Sequence, residues 1–272
     1  GEATGNLEVR DHAHVARILH NDQGRVTGVE YFDKDGSLQF QAARIVAVAG
    51  NSFESPRLLL NSASEMFPDG LANSSGQVGR NYMRHTTGSV YGIFEKPVRM
   101  WRGTTMAGIM QDEARHDPSR GFVGGYELET LSLGLPFMAA FLDPGRWGRE
   151  FTTALDKYEY MAGLWIVGED MPQETNRVTL SDTVDKFGLK VANVNFSDHP
   201  NDVAMRNHAY ERGQAMYRAM GATRTLPTPP YPSTHNLGTN RMSERPEDGV
   251  VNKWGQTHDI AKCLNKAELL RF

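Results

Sequence analysis

Ile45-Val-Ala-Val-Ala49-Gly50-Asn-Ser-Phe-Glu54-Ser55-Pro56-Arg57-Leu58-Leu59-Leu60 is the stretch on which the fold class turns. Ile45 to Ala49 is a short, continuous apolar run ending at a glycine, as expected of a buried parallel strand that delivers a tight turn at its C-terminal end. Ser52 or Glu54 then opens a helix, with Pro56 in its first turn, where a missing N–H breaks no bond, and Arg57 to Leu60 as its body. Strand, turn and helix in this order are the parts of a nucleotide-binding α/β sheet. A plain structural unit is the other reading of the same local pattern.

Upstream the chain reads as β. Leu7 to Ile18 is rich in branched residues, Asn21-Asp-Gln-Gly24 is a turn, Val26 to Phe32 alternates apolar and polar, and Asp33-Lys-Asp-Gly36 turns the chain again before Ser37 to Phe40. Downstream, residues 86–158 are rich in Gly, Met and aromatics with poor periodicity and receive no assignment. Tyr158 to Val167, Arg177 to Leu180 and Leu189 to Phe196 read as strands, and the turn ending at Gly188 predicts that the last two pair in an antiparallel sheet. Asp202 is expected to cap a long helix whose Met205, Ala209, Gly213, Met216 and Met220 mark one buried face, ending at Gly221. Pro227, Pro229, Pro230 and Pro232 then hold the chain extended up to His235. Together these elements predict a mixed α/β fold without internal repeats.

The 272 residues are 39% hydrophobic and 23% charged, ordinary globular values that allow one large or two ordinary domains. A net charge of −4 offers no basic patch, so nucleic acid is not expected as a partner. The single cysteine, Cys263, rules out an internal disulfide or a cysteine metal cage. His12 and His14 share a strand face, but no third ligand stands near them in sequence and no metal site is expected. No apolar run approaches the roughly 18 residues of a membrane span and no signal peptide opens the chain, which reads as soluble, cytoplasmic or periplasmic. The opening Gly1-Glu-Ala-Thr-Gly-Asn-Leu-Glu-Val9 reads as the interior of a longer protein. No Gly-x-Gly-x-x-Gly follows an early strand, although that turn seats a pyrophosphate on a helix N-terminus in Rossmann-type folds.

Tyr231-Pro-Ser-Thr-His235-Asn-Leu-Gly-Thr-Asn-Arg-Met242 sets one imidazole in a turn of small and hydroxylated residues. Imidazole exchanges a proton near neutral pH, which suits it to accept one from a substrate hydroxyl; a solvated or structural loop histidine is the alternative. As spelled, His235 to Met242 resembles the C-terminal signature of the glucose-methanol-choline (GMC) oxidoreductases, FAD enzymes that oxidise alcohols and sugars. The resemblance implies that His235 is the catalytic base, with Asn236 beside it at the cofactor. Ala47 to Leu60 is similar to the family's Ala-Gly segment that continues to Ser-Pro-x-Leu-Leu, which implies cofactor contacts at Ala49, Gly50 and Ser55. Asp11-His-Ala-His14-Val15-Ala-Arg17-Ile18 resembles the strand whose valine main chain faces the adenine of FAD, and so points to Val15. Val78-Gly79-Arg80-Asn81-Tyr82-Met83-Arg84-His85 is similar to the family's Val-Gly-x-Asn segment close to the flavin, which adds Gly79, Asn81 and His85. Asn176-Arg177-Val178-Thr179-Leu180 fits a scaffold strand of the family.

The resemblance weakens after His258-Asp259. The family continues with an aspartate-bearing flavin segment and a second catalytic His or Asn, whereas this chain reads Ala261 to Phe272 with neither. The domains implied are a partial, Rossmann-like FAD-binding domain over 1–95, an antiparallel-sheet substrate domain over 96–221, and a return segment over 222–272 carrying the catalytic loop. The function implied is oxidation of a CH–OH group of an alcohol, sugar or sugar acid, in the manner of bacterial sugar and gluconate dehydrogenases, with an unspecified electron acceptor. A catalytically inactive fragment of such an enzyme, and a sugar-binding module without redox chemistry, are the alternatives.

Overall fold

A computed structural model describes residues 1–132, 147–231 and 233–265. Pro232 and the end of the departing tail therefore lie outside the described residues, as does part of the unassigned 86–158 stretch. The strands are β1 His14–His20, β2 Val26–Phe32, β3 Leu38–Ala42, β4 Val46–Val48, β5 Thr86–Ile93, β6 Ile109–Met110, β7 Tyr126–Leu131, β8 Met161–Gly168, β9 Arg177–Val184, β10 Lys190–Asn195, β11 Arg224–Pro227 and β12 Cys263–Asn265. The α-helices are α1 Asn51–Asn61, α2 Gly148–Asp156 and α3 Pro200–Ala219. The mixed α/β class with antiparallel sheets is as the sequence predicts.

The chain forms two compact units, one from Gly1–Met83, Pro172–Ser197 and Asn236 onward, the other from Arg84–Met171 and Asp198–His235. This division differs from a split at 95 and 221. β5 and β11 pair from Arg224↔Ile93 to Pro227↔Val90, so both belong to the sheet of the second unit. The β9–β10 hairpin belongs to the first unit, where Arg57 of α1 reaches Asp185 at 2.6 Å and the Lys190 carbonyl at 2.9 Å.

In the first unit, β1, β2 and β3 form an antiparallel meander, and β4 pairs in parallel with β12 through Val46↔Cys263. Alternation along β1 turns Ala16 and Ile18 inward, and Leu59 of α1 is fully buried in the same core with Val48, Val250, Ile260 and Cys263. β1 begins seven residues later than the branched run from Leu7 suggests, because His12 takes a positive φ of 48° and breaks the extended path. Nor is β4 a fully buried strand: Ala47 is exposed, and only Val48 of its three residues is buried.

The second unit is built on a five-stranded sheet in the order β11-β5-β8-β7-β6, every pair antiparallel, with α3 packed on one face. All eight residues of β5 are buried. Its glycines make room for the helix, since a Cβ on Gly88 would stand 2.4 Å from the Tyr210 hydroxyl and one on Gly92 2.8 Å from the Tyr217 ring. α3 is capped by His199, whose Nδ1 accepts from the Asn201 N–H at 3.1 Å, rather than by Asp202. Asp202 is instead buried and accepts the Met171 N–H at 3.1 Å. Met205, Ala209 and Gly213 form the buried stripe as expected, but Tyr217 takes the next place and Met220 is 62% exposed. Each four-residue step turns the buried stripe by about 40°, so it winds around α3 from Met205 and reaches Tyr217 rather than Met220 at the far end.

Candidate functional site

Strand alternation sends Gly88, Val90 and Gly92 towards α3 and so turns Thr87, Ser89 and Tyr91 to the opposite face. Cross-strand register sets Ser89, Trp165 and Glu129 in one row on that face, and Thr87, Val167 and Glu127 in the next. The segment before His235 is stapled to this row. The Tyr231 hydroxyl bonds Ser89 Oγ at 2.7 Å, Thr87 Oγ1 donates to the Tyr231 carbonyl, and the His235 N–H donates to Ser233 Oγ at 3.0 Å. The His235 ring meets His85 edge-on at 4.9 Å between centroids and Trp165 at 5.7 Å. His235 is nonetheless exposed, so a reactant can reach it.

Electrostatics separate the groups in this corner. Burial, followed by the neighbouring His235, lowers His85 below its ordinary value, against an opposing hydrogen bond with the Gly168 backbone. His85 therefore stays neutral at pH 7. Burial and then the Glu127 carboxylate raise Glu129, while His235 acts in the other direction. Glu127 accepts a hydrogen bond from Gln111 Nε2 at 3.0 Å. Among the described residues no group of three or more His, Cys, Asp and Glu is placed to hold a metal ion. His14 instead stacks on Phe187 with ring centroids 4.9 Å apart.

The first unit brings other motif residues together. Gly79 N–H donates to the Thr239 carbonyl at 2.7 Å and Val178 N–H to the Gly79 carbonyl at 2.7 Å, while Met83 and Leu237 exchange backbone bonds at 2.9 and 3.0 Å. The Tyr82 hydroxyl donates to Asn236 Oδ1 at 2.6 Å. Gly79 (φ +84°) and Gly238 (φ +99°) permit these approaches, because a Cβ would fall 2.1 Å from the Val178 carbonyl oxygen and 2.0 Å from that of Asn81 respectively. Three segments that are far apart in sequence are thus stitched around Gly79. Asn81 is itself buried, with a φ of 59°, and donates to Gln77 Oε1 at 3.1 Å. At the turn into α1, Ser55 is fully buried and its Oγ accepts the Gly50 N–H at 3.1 Å, which fixes the turn from inside. Ala49 and Val15 are exposed.

Residues 2–87 match the amino-terminal model of the GMC oxidoreductases, and residues 172–263 match the carboxy-terminal one. The chain belongs to the GMC oxidoreductase family. It is 38% identical over 266 residues to 2-methyl-1,2-propanediol dehydrogenase of Mycolicibacterium austroafricanum, an alignment covering 93% of this chain and 48% of that protein. Fructose dehydrogenase large subunit of Gluconobacter japonicus is 28% identical (87% and 44% covered), and gluconate 2-dehydrogenase flavoprotein of Pantoea cypripedii 25% (93% and 45%). The chain spans about half the length of the curated relatives it matches. A solved structure of formate oxidase superposes with a TM-score of 0.65 at 18% identity, covering 96% of this chain and 56% of that one, which shows the shared fold.

The GMC family is one of FAD flavoproteins, and one feature of this chain suits such a group. Ser52, in the first turn of α1, is wholly buried, yet its Oγ has no hydrogen-bond partner among the described residues. A buried hydroxyl left unpaired at a helix N-terminus is a place for a polar group from a ligand. Glu127, Glu129, Trp165 and Tyr231 escaped the sequence reading of the site. Glu127 and Glu129, alternating with the apolar Tyr126 and Leu128, were its available signal: two charges on one face of a strand whose other face is apolar.

Proposed function

We propose that the protein is an FAD-dependent oxidoreductase that oxidises a CH–OH group of a polyhydroxylated alcohol, sugar or sugar acid. The observation carrying this reading is the exposed His235 ring, held by the Tyr231 staple against a neutral His85 and against Trp165. A ring nitrogen of His235 takes the hydroxyl proton as the carbinol C–H bond breaks and C=O forms. His85, being uncharged, does not oppose the positive charge that His235 acquires, and Glu129 is close enough to favour it. FAD, when bound, supplies the acceptor for the hydride. On this reading Val15, Ala49 and Gly50 approach the cofactor, joined by the Ser52 hydroxyl. Gly79, Asn81 and Ser55 hold the backbone that does so, and His85 and Asn236 flank the base. The diol and sugar dehydrogenases among the relatives support the substrate class.

General-base catalysis is worth about 10² to 10⁴ in rate. His235→Ala in the flavin-loaded protein is therefore expected to slow anaerobic flavin reduction by roughly 10²-fold or more, with a small change in substrate binding. Reduction at the wild-type rate would remove His235 from the chemistry.

A further inference from the structure

Beside His235, two polar atoms on adjacent strands lack partners. Trp165 Nε1 on β8 and Glu129 Oε2 on β7 are both shielded from solvent, and neither has a hydrogen-bond partner among the described residues. They come from directly opposed residues of one cross-strand row, and the Trp165 ring is also in contact with His235. Buried polar groups are normally satisfied, so an unpaired donor next to an unpaired acceptor marks a place for a third group.

The chemistry of the two atoms selects that group. The indole N–H only donates, and the carboxyl oxygen of Glu129 is an acceptor. An ammonium group has no acceptor to offer Trp165, and a carboxylate would meet repulsion from Glu129 and from Glu127 next to it. A hydroxyl accepts from one and donates to the other. We propose that Trp165 and Glu129 bind a second hydroxyl of the substrate, on the carbon adjacent to the one whose hydroxyl faces His235. This deepens the reading of His235 as the base and rests on it. The Trp165 and His235 rings are in edge-on contact, with centroids 5.7 Å apart, so one small molecule can meet both. The pair then acts as a specificity device: a mono-alcohol leaves both buried atoms unpaired, and sites built to bond a hydroxyl reject analogues that lack it.

The test compares 1,2-propanediol, 1-propanol and 1-amino-2-propanol with the flavin-loaded protein, in the wild type and in Trp165→Phe, Glu129→Met and Glu129→Gln. Flavin reduction and ligand-observed NMR binding are both read. The wild type is expected to favour the diol over 1-propanol by roughly 10²-fold in kcat/KM. Trp165→Phe and Glu129→Met should each bring that ratio down by about tenfold or more, over and above any loss the two alcohols share through the effect on His235, while Glu129→Gln, which keeps an acceptor oxygen, retains most of the ratio. An unchanged ratio in the first two variants overturns the proposal. So does an equal loss for diol and mono-alcohol, or tighter binding of the amino-alcohol than of the diol. If none of these compounds reduces the flavin, the oxidation reading of these substrates fails separately. NMR still decides the subsite in that case: diol binding lost in Trp165→Phe upholds it, and binding retained sinks it.

Discussion

Single positions carry sharply different constraints even where their backbone angles agree. Gly238 and Gly36 both have positive φ, +99° and +77°, but only Gly238 is walled in, by the Asn81 carbonyl. Gly36→Ala should cost about 1 kcal/mol for the left-handed backbone alone. Gly238→Ala must also move a hydrogen-bonded segment and should cost more than about 2 kcal/mol, a difference that urea denaturation of the two variants will show. Cys263 offers a chemical check on the core. It is fully buried, and burial pushes its thiol up to about 12, so it should not react with a thiol reagent at pH 8 until the first unit opens. Labelling in the native state at the rate seen in denaturant would place it at the surface.

At the level of elements, Asp170 follows β8 and accepts from the Arg84 N–H at 2.8 Å and from Thr86 Oγ1 at 2.6 Å. Burial, helped by Asp202, outweighs these bonds and raises its carboxyl to about 6. The folded state then holds a proton that the unfolded chain has released, so stability is greatest below the ordinary carboxylate value and falls as pH rises towards and through 6. That loss is roughly 2–3 kcal/mol between pH 4 and 7, and Asp170→Asn should lack this slope when unfolding is measured across the range. How far elements were legible depended on what covers them. The β1–β2–β3 meander could be read because Asn21 to Gly24 and Asp33 to Gly36 spell its turns and because one face alternates. β5 could not, since burial of all eight residues erases the alternation and its glycines answer to Tyr210 and Tyr217, which are distant in sequence. For the site, His235 and His85 were visible through spelling that resembles a family. Trp165 and Glu129 became visible only once strand register had set them side by side.

At the scale of the whole molecule, the matched relatives are about twice as long as the chain. Residues 1–272 contain no Gly-x-Gly-x-x-Gly turn for a pyrophosphate, and Leu7, Val9, Leu38, Phe40 and Ile45 are each more than half exposed in the first unit. Those exposed apolar side chains are expected to make residues 1–272 aggregate when expressed by themselves, and a soluble, monomeric preparation would overturn that expectation.

The pairing of Val46 with Cys263 also orders events during synthesis. The second unit draws its last residue at His235, so all of its sheet and α3 have been made before the strand that closes the first unit leaves the ribosome. The meander and α1, although translated before the second unit's sheet, wait for a partner near the far end of the described chain. The meander, although made before the second unit's sheet, is in this sense finished after it, and a released chain ending just past His235 would protect the later-made sheet from protease while leaving the earlier-made one open to cleavage.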